Sequence, residues 1–143
     1  FDVKSRFVHF EFFRLLKDHE GLGRKDELIG LEVNMRPSGG ISPDMMNFSQ
    51  STDVYKIWAD MIAYDSSLRG IGQTAFCAFA GRRDGKNFVM SDEDIIHKYG
   101  ANMKMSGRVA DALSGAMGNQ MYIANFNTKE EMDAFYNDVL ACR

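Results

Sequence analysis

The chain has 143 residues and a formal net charge of -3, a length that suits one domain or two small subdomains sharing a core. Its acidic balance argues against a general nucleic-acid binder, which needs a basic excess to neutralise phosphate. No apolar run approaches the ~20 residues that cross a bilayer, and no signal peptide is visible, so no membrane partner is expected.

Two lone cysteines, Cys77 and Cys142, form no CxxC and no disulfide framework, which fits a reducing, cytoplasmic setting. The chain opens at Phe1, directly before a strand-like run and without Met, and reads as a piece of something longer.

In chain order, "SRFVHFEFFRLL" is rich in aromatic and β-branched residues and predicts a strand. Alternation puts Val8, Phe10 and Phe12 on one face, and Phe7, His9, Glu11 and Phe13 on the other. "KDHEGLGRKDE" is charged, holds two glycines and predicts an exposed, mobile connection. "IGLEVNMR" predicts a second strand, antiparallel to the first, with Leu31, Val33 and Met35 set on a core. Its other face carries Glu32, Asn34 and Arg36. Ser42-Pro43-Asp44 is a helix start, with an N-cap hydroxyl, a first-turn proline and an early acid. A second start at Ser51 or Thr52 leads into "DVYKIWADMIAYD", where Val54, Ile57, Trp58, Met61 and Ile62 recur at helical spacing and predict a core stripe.

From about Gly70 the character changes. "QTAFCAFAGRRDGKNFVM" predicts two strands around an Asp84-Gly85 turn. "SDEDIIHKYG" predicts a helix with a Ser91 cap, an acidic first turn and a Gly100 stop. "NMKMSGRVADALSGAMGNQ" fits either strand and turn or a short helix. "MYIANF" predicts a strand, and "TKEEMDAFYNDVLA" a helix opened by a Thr128-x-x-Glu131 capping box. The shape expected is α+β, with residues 1–68 as one subdomain and 69–143 as an accessory α+β extension.

The polar row carries the chemistry. Two carboxylates and an amide oxygen are hard ligands of the kind Mg²⁺ takes, with water and nucleotide phosphate completing its octahedron. Glu11 lies mid-strand among aromatics, an expensive place for a charge that is neither paired nor coordinated. If the strands are neighbours, Glu11 faces Glu32, and like charges directly opposite repel unless a cation lies between them. Arg36 suits a phosphate or developing phosphoryl charge. Ser38, Gly39 and Gly40 let the backbone approach an anion closely, and the helix starting near Ser42 brings its positive end to the same place. Alternating charge and apolarity also describes any half-exposed strand, in which Glu32 and Arg36 are solvated neighbours.

"FVHFEFF", followed across the charged connection by "LEVNMRPSGG", resembles the end of the ATP-grasp domain. That superfamily includes biotin carboxylase, carbamoyl phosphate synthetase and many carboxylate–amine ligases. Over roughly residues 5 to 50 this chain is similar to it, and the "RPSGG" continuation looks more like the carboxylate–amine ligases. The resemblance implies the C-terminal lobe of an ATP-grasp domain, in which Glu11, Glu32 and Asn34 bind Mg²⁺ (Mn²⁺ as the alternative ion) bridging the phosphates of ATP. It implies that Arg36 is the catalytic contact to phosphate or to an acyl-phosphate intermediate, with Ser38, Gly39 and Gly40 shaping the acceptor end. The parent would activate a carboxylate as an acyl phosphate and join it to an amine. The glycine-rich lid, the phosphate-holding lysines and the adenine-binding hinge of such an enzyme are absent from these residues. The remainder of the ATP-grasp domain is therefore an expected partner, and the chain by itself is expected not to turn over.

The competing expectation is an autonomous, non-enzymatic α+β binding module in which the polar row is structural. Self-association into a homo-oligomer is compatible with both. His9 shares the face of Glu11, but a strand histidine satisfied by a neighbour is the simpler reading. His19 and His97 lack metal-ligand spacing. Gly81-Arg82-Arg83-Asp84-Gly85 reads as a solvated hairpin tip, and the ten scattered methionines as core filler. No serine or cysteine has a visible base, so nucleophilic catalysis is unsupported.

Overall fold

A computed structural model of the chain describes residues 6–143. Residues 1–5, which include Ser5 of the predicted first strand and the start of the predicted first subdomain, lie outside the described residues. The protein is α+β, with two antiparallel sheets and five helices among the described residues. No helix among them is long and apolar enough to cross a membrane. Two compact units divide the chain: residues up to Pro43 with Asp53–Arg69, and Asp44–Thr52 with Gly70–Arg143.

The first unit is built on an antiparallel hairpin, β1 (His9–Arg14) and β2 (Leu28–Asn34). Arg14 clamps the start of its connection by donating to Asp26 from Nε and Nη2 at 2.9 and 2.6 Å. Within the connection Leu15 and Asp26 bond the backbones of Glu27 and Leu15, and His19 pairs with Gly23. The expected mobile loop is thus exposed but carries hydrogen bonds of its own. Helix α1 (Ser42–Gln50) follows in the chain, its residues from Asp44 onward belonging to the second unit, and α2 (Val54–Tyr64) belongs to the first. The cap of α2 is Asp53, whose side chain accepts from Lys56 N at 3.0 Å, rather than Ser51 or Thr52.

The apolar side of this hairpin departs from expectation. Leu31, Val33 and Met35, expected to sit on a core, are 46–55% exposed, and Phe10 and Phe12 on the facing strand are as bare. On α2 only Val54 is buried; Trp58 and Ile62 of the predicted core stripe are exposed. Period alone identifies which residues share a face, and whether anything covers that face is decided elsewhere in the fold.

The second unit owns the core. Strands β3 (Phe76–Arg82), β4 (Met103–Arg108) and β5 (Gln120–Phe126) pair antiparallel in the order β3-β5-β4. Tyr122, Ile123 and Ala124 of the central strand are fully buried. Helices α3 (Asp92–Tyr99) and α5 (Lys129–Leu140) supply Ile95, Tyr99, Phe135 and Val139 to the cluster formed with Ala78, Ala80, Tyr122, Ala124 and Phe126. Both helices open with a complete capping box, Ser91 with Asp94 and Thr128 with Glu131. The ambiguous stretch resolves into β4 followed by the short helix α4 (Asp111–Met117).

Two further expectations fail here. The residues after the Asp84-Gly85 turn do not return as a strand against β3; Phe88 instead bridges to Cys142, and Val89 N bonds Ala141 O at 2.9 Å. Arg82, assigned to a solvated tip, is 3% exposed, because it continues the inward alternation of Ala78 and Ala80. Its charge is met by Asp92, by the carbonyls of Val139 and Met90, and by the Phe88 ring 4.4 Å away. Cys77 is partly buried, which pushes its thiol up to about 11 despite Lys104, so it stays protonated at neutral pH.

Candidate functional site

The hairpin register sets the site. Glu11 lies directly opposite Glu32, and His9 directly opposite Asn34, so all four side chains share one face. The register shifts after Glu11: Phe12 pairs with Gly30, leaving Leu31 as an extra residue in β2. This bulge lies next to the glutamate pair and locally bends the strand that carries Glu32. Beyond it, Phe13 opposite Ile29 continues the same face. With Leu15, Leu16 and Leu22 these two line a groove of about 560 Å³.

The donors in the row are under-used. His9 Nε2 lies 3.5 Å from Glu11 Oε1. His9 Nδ1, Asn34 Nδ2 and Ser38 Oγ are buried without a hydrogen-bond partner, three of the five such side-chain atoms among the described residues. Buried polar atoms are normally satisfied, so the unpartnered atoms of His9 and Asn34, which face each other, leave bonding there for water or a ligand to complete. A half-turn of the Asn34 amide would present its oxygen there instead of its nitrogen.

The strand ends at Asn34, so Arg36 does not extend the row as the alternation predicted. Its Nη1 donates to Pro37 O at 2.9 Å and lies 4.0 Å from where a β-carbon on Gly39 would sit. The guanidinium is therefore folded over the Pro37–Gly39 turn, with Ser38 Oγ buried beside it in sequence. Gly40 has φ +62, a left-handed conformation that favours glycine, and helix α1 begins two residues later.

These side chains could supply only part of an ion's ligands. Among the described residues no three His, Cys, Asp or Glu side chains converge to hold an ion, so His9, Glu11 and Glu32 do not form an all-protein cage. Two facing carboxylates with one amide match the other mode, in which protein supplies a minority of ligands and water and phosphate the rest.

Sequence reasoning set His9 aside, yet the register places it against both Asn34 and Glu11. The signal was its odd-numbered position on the Glu11 face. The one signal for the Leu31 bulge was its neighbour Gly30, since a glycine inside a strand pattern often marks a bulge. No family model, no curated protein and no solved structure matches the chain.

Proposed function

We propose that the chain is the metal- and phosphate-holding part of an ATP- and Mg²⁺-dependent ligase of the ATP-grasp kind, which activates a carboxylate as an acyl phosphate and joins it to an amine. The observation that carries this reading is the direct opposition of Glu11 and Glu32 on a face they share with Asn34. Two like charges in register cost some stability even with Glu32 exposed and Glu11 partly so, and a divalent cation held by the pair would remove that cost. When bound, Mg²⁺ would neutralise phosphate charge as the phosphoryl group moves to the carboxylate. Glu11, Glu32 and Asn34 would hold it. Arg36, released from Pro37 O, would steady the acyl phosphate, and the Ser38-Gly39-Gly40 turn would admit its oxygens to the backbone. The exposed apolar side of the hairpin supports the same reading, since a two-stranded sheet is marginal in water without a covering layer such as the remainder of an ATP-grasp domain.

The test is ATP-dependent phosphate release with candidate carboxylates, measured on the polypeptide as the cell makes it. Glu32→Gln and Asn34→Ala should each lower the rate at least tenfold; wild-type rates in both would remove the metal role.

A second reading, an α+β binding module without catalysis, is favoured by one observation: the second unit contains the whole buried cluster and does not depend on the glutamate face for it. Release rates at background with every carboxylate tried, together with no divalent-ion binding at the hairpin, would select it.

A further inference from the structure

A cleft of about 580 Å³ opens in the second unit between the end of β3, residues 86–91, the first turn of α3 and Arg143. Three cations, Arg82, Lys86 and Arg143, and two carboxylates, Asp92 and Asp94, stand in its wall. The carboxylates are engaged. Asp92 Oδ1 accepts from Arg82 Nη1 at 2.9 Å and from the Tyr122 hydroxyl. Asp94 Oδ2 accepts from the Ser91 N–H and hydroxyl at 3.0 and 2.9 Å. Lys86 and Arg143, both exposed, form no ion pair among the described residues.

Two sets of donors remain unused. Arg82 spends Nε on Val139 O and Nη1 on Met90 O and Asp92, leaving Nη2 buried and without an acceptor in a residue 3% exposed. A buried guanidinium donor left unpaired costs free energy that an oxyanion would return. The first turn of α3 opens on the same cleft, and the N–H groups of Asp92 and Glu93 have no acceptor within the helix.

We infer that this cleft binds a small phosphorylated molecule through its phosphate group. Lys86 and Arg143 attract the dianion, the first N–H groups of α3 take its oxygens, and Arg82 Nη2 gains the acceptor it lacks. A group with several acceptor oxygens could engage donors from the strand end, the helix and Arg143 together, which a single carboxylate with two oxygens could not. The site lies wholly in the second unit and is independent of the glutamate row.

Inorganic phosphate titrated into the whole chain, against chloride at matched ionic strength, tests this by backbone amide resonances. The expected result is a saturable shift at Asp92 and Glu93, with affinity about tenfold weaker in Lys86→Ala and in Arg143→Ala, the size of one charge-assisted hydrogen bond. Both side chains are exposed, so the variants should keep the wild-type thermal midpoint. Shifts that chloride reproduces, or wild-type phosphate affinity in both variants, would overturn the assignment.

Discussion

A β-carbon on Gly81 would land on the carbonyl oxygen of Met117, far inside van der Waals contact. The end of β3 and the end of α4 are therefore pressed backbone to backbone, and Asn119 N then bonds Arg82 O at 2.7 Å. Gly118, which makes the turn between α4 and β5, has φ +88, and its own β-carbon would sit 2.7 Å from Arg82 O. Alanine at Gly81 or Gly118 should destabilise the protein by about 1–3 kcal/mol each, through overpacking at the first and added backbone strain at the second. Gly85, at φ +81 with nothing within 4 Å, is the control in which strain acts alone. Denaturant melts of the three variants check this, and a Gly81→Ala protein as stable as wild type would deny the close approach.

The glutamate pair predicts opposite effects with and without divalent ions. Without them, Glu32→Gln relieves a like-charge contact and should stabilise the hairpin by about 0.2–1 kcal/mol, seen as slower amide exchange in β1 and β2. Added Mg²⁺ or Mn²⁺ should slow exchange in the wild type by binding the folded form, and leave the variant unaffected. Equal ion effects in both proteins would place any binding elsewhere.

Acid should unfold the second unit through a small set of carboxylates. The Lys98 ammonium at 2.6 Å and the Tyr99 hydroxyl hold the Asp138 carboxyl below its ordinary range. The Arg108 guanidinium does the same for Asp84, and the Ser91 backbone and hydroxyl for Asp94. A carboxylate depressed in the folded state stabilises it above the unfolded value of about 3.9, and that contribution fades as pH falls through the lower folded value. The thermal midpoint should hence be flat near neutrality and drop below about pH 4, less steeply in Asp138→Asn. At the other extreme, burial and hydrogen bonds to Asp138 and Asp92 push the Tyr99 and Tyr122 phenols up, so stability should fall again once pH passes their ordinary value of about 10. Superimposable acid limbs for wild type and variant would show that Asp138 plays no part.

What the sequence by itself determined was local chemistry and periodicity. The capping boxes at Ser91 and Thr128 are read from residues three apart, and the helices they open follow. Alternation along two strands was enough to put Glu11, Glu32 and Asn34 on shared faces, because side chains in extended chain have a fixed period of two. The tertiary structure alone decided which of those faces is covered and which segments pair. Residues 86–90 lacked a neighbour in β3 and found one in the chain's last residues, a contact no local signal encodes. Arg82 became interior because its carboxylate, carbonyl and aromatic partners come from a loop, two helices and a central strand that converge only after folding. The phenylalanines of the hairpin stayed bare for the complementary reason: apolar residues specify a face to bury, and burial needs a second surface, whose presence is a property of the fold and not of the strand.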